Sequence, residues 1–210
     1  MDTLIVLASV FAVFIPALML PGPDFVAVVR SSMTRGLSAG ILTTLGVTLG
    51  LGLYATLSLL GLSALLVEYQ WLTWLVRILG GSYLIYLGIR LFFAKPDPIE
   101  IDPAAERRAS NPAVFGFLVT LTNPKAIVLF ASVFATAVTD QTPLWLMGVM
   151  IGLVMASTFV WYTGVSIFMS SPPVMRRFQQ ARHRIEQMAG VCFVAIGGRV
   201  LADARSPITP

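Results

Sequence analysis

Two apolar segments of this chain, each long enough to cross a bilayer, are interrupted near their middle by proline and an ionisable residue. The segments run over residues 4–33 and 113–138. The interrupting residues are Pro21, Gly22, Pro23 and Asp24 in the first segment and Asn123, Pro124 and Lys125 in the second. Broken backbone and buried charge are both costly in lipid unless they line a cavity inside the protein. A pair of such interruptions, one in each half of a chain, is typical of a transport site.

The composition predicts a single integral membrane domain over residues 1–210. Hydrophobic residues make up 57% of the chain and charged residues 11%, and the mean hydropathy is +0.84. Segments close to the ~18 to 20 apolar residues that span a bilayer recur along the whole length. They cover residues 4–33, 38–66, 72–94, 113–138, 144–170 and 186–203. We therefore expect an all-α membrane protein of about six transmembrane helices, with helices 1 and 4 broken.

The positions of lysine and arginine predict the orientation of these spans. One set of alternate loops holds ten basic residues and the other set holds two. The ten are Arg30, Arg35, Arg90, Lys95, Arg107, Arg108, Arg176, Arg177, Arg182 and Arg184. This bias predicts that the basic side faces the cytoplasm and that both termini lie on the outer side of the membrane. The residues of the expected outer aromatic belt are Tyr69, Trp71, Trp74 and Trp145.

The chain also contains a weak internal repeat. The sequence at 46–51 resembles that at 148–153, and the glycine pair Gly81 and Gly88 has the same spacing as Gly190 and Gly197. The repeats would cover residues 4–94 and 113–203, joined by a cytoplasmic linker over 95–112. Because each holds three spans, the second repeat must be inverted, as in many secondary transporters. Chance similarity between glycine-rich helices, or plain helix packing, is the alternative.

Four charged residues lie inside the apolar segments or at their margins: Asp24, Arg77, Lys125 and Glu186. At about 1.5 Å per residue, Lys125 lies about 18 Å deep, near the midplane. The repeat alignment places Asp24 opposite Lys125 and Arg77 opposite Glu186, with the sign of charge reversed in both cases. We therefore expect opposite-charge contacts between the two halves.

A zwitterionic amino acid could exchange with such a pair, its carboxylate meeting Lys125 and its ammonium meeting Asp24. Alternative interpretations are that Asp24 only caps the following helix and that Arg77 and Glu186 only anchor helix ends at the interface. Polar side chains beside the second interruption could bind substrate or satisfy the broken backbone. They are Thr120, Thr122 and Asn123. Trp161 and Tyr162 are interpreted mainly as packing residues.

Other function classes find little support in the sequence. The single Cys192 excludes an internal disulfide, and neither a metal-ligand cluster nor a phosphate-binding glycine loop is recognisable. We therefore expect no metal, no cofactor and no direct use of ATP, and no partner among nucleic acids. Residues 173–188 alternate apolar and basic side chains, which predicts an interfacial amphipathic helix on the anionic leaflet.

Three motifs resemble the lysine-exporter superfamily. They are Leu20-Pro21-Gly22-Pro23-Asp24-Phe25, Gly80-Gly81-x-Tyr83-Leu84-x-x-x-Gly88 and Asn123-Pro124-Lys125-Ala126-Ile127. Within the superfamily the chain is most similar to the homoserine/threonine efflux branch, and residues 123–140 in particular are similar to threonine exporters. The resemblance implies a six-span inner-membrane exporter of amino acids driven by the proton-motive force. Related branches move basic amino acids, leucine, cysteine derivatives or homoserine lactone, so the substrate stays open.

Two further hypotheses come from other classes. A membrane-embedded enzyme would need a nucleophile or a paired acid and base at a membrane face, which the sequence does not offer, so we expect no catalysis. A channel or metal-ion exporter would need acidic rings or histidine-rich loops. The partners that the resemblance implies are an amino-acid substrate and protons as coupling ion, and the apolar composition adds the lipid bilayer. Assembly into a homo-oligomer is left open.

Overall fold

A computed structural model describes residues 3–62, 69–93, 111–137, 142–168 and 172–203, and every regular element in these ranges is a helix. The helices are α1 (Thr3–Met19), α2 (Pro23–Arg35), α3 (Leu37–Thr56, continued by a π-helical segment Leu57–Leu62), α4 (Gln70–Phe93), α5 (Pro112–Leu121), α6 (Pro124–Ala137), α7 (Leu144–Phe168) and α8 (Pro172–Asp203). The all-helical fold class is confirmed. The predicted linker, apart from its last two positions, lies outside the described residues, as do Arg107, Arg108 and Arg205.

Three helical stretches in the described residues are long and apolar enough to cross a membrane: Leu37–Gly61, Leu144–Phe168 and His183–Ala202. Counting each of two bent helix pairs as one span raises the number to five. The protein is thus a multi-pass membrane protein, with three to five such spans where the sequence predicted about six.

Both predicted breaks are present. The axes of α1 and α2 differ by 46°, and those of α5 and α6 by 57°. Pro23 and Pro124 each occupy the first position of the following helix, where a missing N–H costs nothing because the first turn has no intrahelical acceptor for it. The prolines therefore end one helix and start the next, which gives each pair its sharp bend.

The contact between α3 and α5 depends on glycine. A Cβ atom on Gly46 would overlap the carbonyl oxygen of Ala113, and one on Gly116 would overlap that of Thr43. The two backbones therefore approach more closely than any other side chain would allow. Helix α3 is the central helix of the fold. In its apolar 18-residue stretch 56% of the residues are buried inside the protein, against 28% in the corresponding stretch of α7.

Helices α4 and α8 form a long antiparallel pair through two reciprocal glycine contacts. A Cβ on Gly88 would lie 2.6 Å from the carbonyl oxygen of Gly190, and the reverse distance is also 2.6 Å. Gly81 and Gly197 meet in the same way at 3.0 and 2.7 Å. In the repeat alignment Gly81 corresponds to Gly190 and Gly88 to Gly197. The alignment therefore converts the contact of Gly81 with Gly197 into the contact of Gly88 with Gly190.

The predicted interfacial helix over 173–188 is not a separate element. It forms the first half of α8, which runs for 32 residues from Pro172 to Asp203. Between Met175 and Ala189 the sequence has neither proline nor glycine, so no residue in that stretch ends the helix.

Alanine substitution of the two repeat-related glycines should affect stability to different extents. We expect Gly46→Ala to lower stability by about 1–3 kcal/mol, because the new methyl group overpacks against backbone that cannot move aside. Gly148→Ala is the matched control, since within the described part of the chain a Cβ there meets nothing within 4 Å. Thermal unfolding of the detergent-solubilised variants measures the difference. Equal melting temperatures would contradict the close α3–α5 contact.

Candidate functional site

Asp24 is the centre of the site. Its side chain lies in the first turn of α2 and is only 4% exposed. The hydroxyl of Thr120 donates to Oδ1 at 2.9 Å, and the side-chain amide of Asn123 donates to Oδ2 at 3.0 Å. Both donors belong to the second break, so the carboxylate joins the two halves of the chain.

Asp24 does not cap its helix. The N-cap position of α2 is Gly22, and no side-chain hydrogen bond caps this end. The capping interpretation of Asp24 is therefore wrong. One residue further into the helix, past Pro23 at its first position, the carboxylate faces the second half of the chain instead of its own backbone.

Asn123 has two roles at once. Its Oδ1 accepts the backbone N–H of Lys125 at 3.1 Å, which caps α6 in the manner that asparagine favours. Its Nδ2 donates to Asp24. The residue is 1% exposed, so every polar atom of the amide needs such a partner. Asn123 therefore fixes the start of α6 and the position of the carboxylate together.

The ammonium of Lys125 binds the end of α1. Its Nζ donates to the carbonyl oxygen of Ala17 at 2.9 Å and is 3.4 Å from that of Leu20. In a continuous helix the Ala17 carbonyl would accept the N–H of residue 21, but Pro21 has none. The lysine supplies the missing donor and places its positive charge at the negative end of the α1 dipole.

The predicted direct contact between Asp24 and Lys125 is replaced by a longer-range interaction. The two charges interact electrostatically, but the lysine donates to backbone carbonyls and the carboxylate accepts from neutral side chains. Each group is thus satisfied by the opposite half of the chain without an ion pair between them. Gly22 lies beside the lysine, since a Cβ there would be 3.3 Å from Lys125 Nζ.

The predicted contact between Arg77 and Glu186 is wrong. The pairing of Gly81 with Gly197 and of Gly88 with Gly190 places Arg77 opposite residue 201, 15 positions beyond Glu186. At about 1.5 Å per residue, the two charges lie about 22 Å apart along the helix pair. Two residues at equivalent positions of the two repeats meet across this antiparallel helix pair only if both lie near its centre.

Comparison with known proteins now identifies the family. The family model of the LysE type translocator matches residues 15–204. The chain belongs to the LysE family. A threonine efflux protein of Salmonella typhi is 32% identical over 193 residues, covering 90% of this chain and 94% of the relative. The threonine efflux protein of Escherichia coli K12 is 31% identical, over 92% of this chain and 96% of that protein.

A leucine efflux protein of Salmonella choleraesuis is also similar, at 31% identity over 63% of this chain and 62% of the relative. No solved structure matches the chain. The geometry of the two breaks in this LysE family member therefore comes from its own structure.

Two tyrosines complete the surroundings of Asp24, and both lie within electrostatic reach of its carboxylate. The phenol of Tyr54 on α3 donates to the carbonyl oxygen of Leu121 at 2.8 Å. It satisfies the end of α5 as Lys125 satisfies the end of α1. Tyr162 on α7 is 2% exposed. The sequence analysis did not single out Tyr54. The feature that could have indicated it is a phenol one turn after Gly50 in an otherwise apolar helix.

The two threonines near the second break differ in what their hydroxyls bind. Thr120 donates to Asp24, whereas the exposed Thr122 hydroxyl bonds only to backbone carbonyls of its own helix. We expect Thr120→Val to lower stability by about 1–3 kcal/mol, because a buried carboxylate loses one of its two donors. Thr122→Val, the matched control in this LysE family member, should change it by less than about 0.5 kcal/mol. Thermal unfolding of both variants in detergent checks the difference, and equal losses would exclude a special role for Thr120.

Proposed function

We propose that the protein is a secondary transporter that exports threonine- or homoserine-like amino acids across the inner membrane in exchange for protons. The observation that carries the proposal is the pair of opposite charges at the two breaks, a buried Asp24 and a half-buried Lys125. Asp24 is held by neutral donors and Lys125 by backbone carbonyls. A zwitterion can replace these weaker partners with full charges, and hydrogen bonds between two charged groups are stronger than those to neutral partners.

The substrate ammonium would bind Asp24 and displace Thr120 or Asn123. The substrate carboxylate would bind Lys125 together with the N-terminus of α2, where no side chain caps the helix and the dipole favours an anion. Gly22 lies beside Lys125 Nζ, so it leaves room for the carboxylate. The displaced Thr120 and Asn123 side chains are suited to a substrate hydroxyl.

Proton coupling follows from competition for one carboxylate. A proton and a substrate ammonium both neutralise Asp24, and they cannot do so at the same time. Protonation also weakens the hydrogen bonds from Thr120 and Asn123, because a neutral acid is a poorer acceptor than a carboxylate. Release of one ligand therefore favours binding of the other, which is the requirement for exchange across the membrane.

The proposed architecture is one domain of two inverted three-helix repeats, residues 4–94 and 113–203, joined by the linker 95–112. Helix α4 is 24 residues long, about 36 Å, and would be the sixth span. The reciprocal glycine contacts of α4 with α8 support the inverted arrangement, because an axis of two-fold symmetry between the helices would exchange them.

The proposed orientation places both termini in the periplasm. The charge bias carries this assignment, and the exposure of the aromatic side chains at the starts of α4 and α7 supports it. Trp71 is 66% exposed, Trp74 53% and Trp145 61%. Amphipathic rings at these helix ends fit one interfacial belt.

Transport in inverted membrane vesicles tests the function. Vesicles with an acidic interior should take up labelled threonine and homoserine, and uptake should stop when the pH gradient is collapsed. Lysine and leucine in the same assay distinguish the related substrate classes. Uptake that ignores the gradient would exclude proton exchange, and leucine or lysine uptake without threonine uptake would change the substrate assignment.

Substitution of the two charges tests the site in the same vesicles. We expect Asp24→Asn and Lys125→Ala each to lower the rate of uptake at least about tenfold, since each removes an opposite-charge partner of the zwitterion worth about 1.5–3 kcal/mol. Arg77→Gln, which removes a charge from α4, is the control and should retain most of the rate. Wild-type uptake by both site variants would show that the substrate binds elsewhere.

A double substitution separates the structural role of Lys125 from its role in transport. Lys125→Met removes the donor of the Ala17 carbonyl and should lower stability by about 1–3 kcal/mol. Adding Pro21→Ala restores a backbone N–H to that carbonyl, so part of the stability should return. Uptake should stay low, because the substrate carboxylate still lacks its cation. Thermal unfolding and vesicle uptake of both variants measure this, and recovery of uptake would assign Lys125 a purely structural role.

A further inference from the structure

Four buried hydroxyl groups have no hydrogen-bond partner within the described residues. Three of them belong to buried residues, Ser31 on α2, Thr48 on α3 and Thr158 on α7, which are 1%, 6% and 0% exposed. The fourth belongs to Thr163, a half-buried residue of α7. A hydroxyl buried without a partner costs free energy, and in a membrane no bulk water compensates the loss. Three of them on helices that contact one another pairwise indicate that something polar lies between these helices.

Further hydroxyls follow the same helix faces. Thr44 lies one turn from Thr48, and Tyr162 and Ser166 follow Thr158 at intervals of one turn, so each set shares a face. The hydroxyls of Thr44 and Ser166 are 3.3 Å apart, which joins α3 to α7. We call this set the hydroxyl column: Ser31, Thr44, Thr48, Thr158, Tyr162 and Ser166.

One end of the column lies at Asp24. Ser31 shares a face of α2 with Asp24 and lies seven residues, about 10 Å, further along the helix. Gly50 of α3 packs against Thr120, the donor to Asp24: a Cβ on Gly50 would lie 2.8 Å from the Cβ of Thr120. Thr48 is therefore within one turn of the level of the carboxylate. Tyr162 interacts electrostatically with the same group.

The other end of the column lies next to the link between α2 and α3. A Cβ on Gly40 would be 3.1 Å from Ser166 Oγ and would overlap the hydroxyl of Ser32. Gly40 is one turn from Gly36, where the chain passes from α2 to α3. The column thus extends from the buried carboxylate to the membrane face where α2 ends.

We propose that the hydroxyl column is a hydrated path that carries protons between Asp24 and the membrane face at the α2–α3 link. The proposal rests on the proposed role of Asp24 as the proton carrier. Water between α2, α3 and α7 would satisfy the three partnerless hydroxyls, as buried water does elsewhere. The same water would give the carboxylate a route to solution that does not require the helices to separate.

The charged and titratable groups around Asp24 are compatible with this path. Lys125 approaches from α6 and is bound to the end of α1, away from the space between α2, α3 and α7. Tyr54 and Tyr162 approach from α3 and α7. On α2 itself the next charged group is the buried Arg30, nearly two turns away. The cation that acts on the carboxylate at the Asp24 end of the column is Lys125.

Removal of the partnerless hydroxyls tests the path. The double variant Thr48→Val/Thr158→Val keeps the shape of both side chains and breaks no hydrogen bond in the described residues, so it should unfold at the wild-type temperature or above. Uptake driven by a pH gradient should fall about tenfold, because the chain of hydrogen bonds to Asp24 is interrupted. Exchange of labelled for unlabelled substrate without a gradient should keep its rate. The control is Thr43→Val, a buried hydroxyl bonded to the Ala39 carbonyl.

Cysteine labelling tests the water directly and does not depend on transport. In a Cys192→Ser background, Ser31→Cys and Thr158→Cys should react with a small membrane-permeant methanethiosulfonate about tenfold faster than Ala189→Cys, because only a hydrated thiol ionises readily. Ala189 is an equally buried residue on α8.

The two experiments separate the outcomes. Labelling of Ser31→Cys and Thr158→Cys as slow as that of Ala189→Cys, or a pH-driven rate unchanged in the double valine variant, would overturn the path. Equal loss of driven uptake and of exchange would overturn it too, since that pattern indicates a substrate-binding defect. Fast labelling of Ser31→Cys and Thr158→Cys, together with wild-type uptake that ignores the pH gradient, would refute the proposed function instead and, with it, the proton as cargo of the column.

Discussion

The hydrogen bond from Lys125 to the carbonyl of Ala17 is the interaction on which the arrangement of the breaks depends. Pro21 takes away the normal donor to that carbonyl, and a side chain 108 residues later in the chain replaces it. The same lysine lies in the first turn of the helix that Asn123 caps, and Asn123 also holds Asp24. Loss of the lysine would leave the Ala17 carbonyl at the end of α1 without a donor in lipid. It would also loosen Asn123, the hydrogen-bond partner of the carboxylate. The two breaks therefore form one unit.

The breaks themselves could be predicted from sequence because their causes are local. Proline has no N–H whatever surrounds it, so Pro21 and Pro23 had to end one helix and begin another. The burial of Asp24 and the position of Asn123 at the start of a helix also follow from the residue types and their order. The outcome for Asp24 differed in one detail. Pro23 takes the first helical position, which moves the cap to Gly22 and leaves the carboxylate for the other half.

The remaining features depend on how the helices cross, which the residue pattern of a single sequence does not predict. The expected meeting of Arg77 with Glu186 assumed that equivalent positions meet, whereas the glycine contacts of α4 and α8 place them at opposite ends. Tyr54 reaches Leu121 only because Gly46 and Gly116 bring α3 and α5 together. The expected contact of Asp24 with Lys125 failed because backbone carbonyls, invisible in a residue-level alignment, compete for the ammonium.

The division of the site between the halves also affects how the protein is made. Thr120, which donates to Asp24, is synthesised 96 residues after it. Insertion from the N-terminus therefore delivers a carboxylic acid to the bilayer long before its partners exist. Until residues 120–125 arrive, the first half must keep Asp24 protonated or in contact with water, because a lone charge at that depth costs about 2.5–3.5 kcal/mol. Completion of the site is thus tied to the arrival of the fourth apolar segment, and chains truncated before it would retain an exposed acidic residue that membrane quality control could recognise.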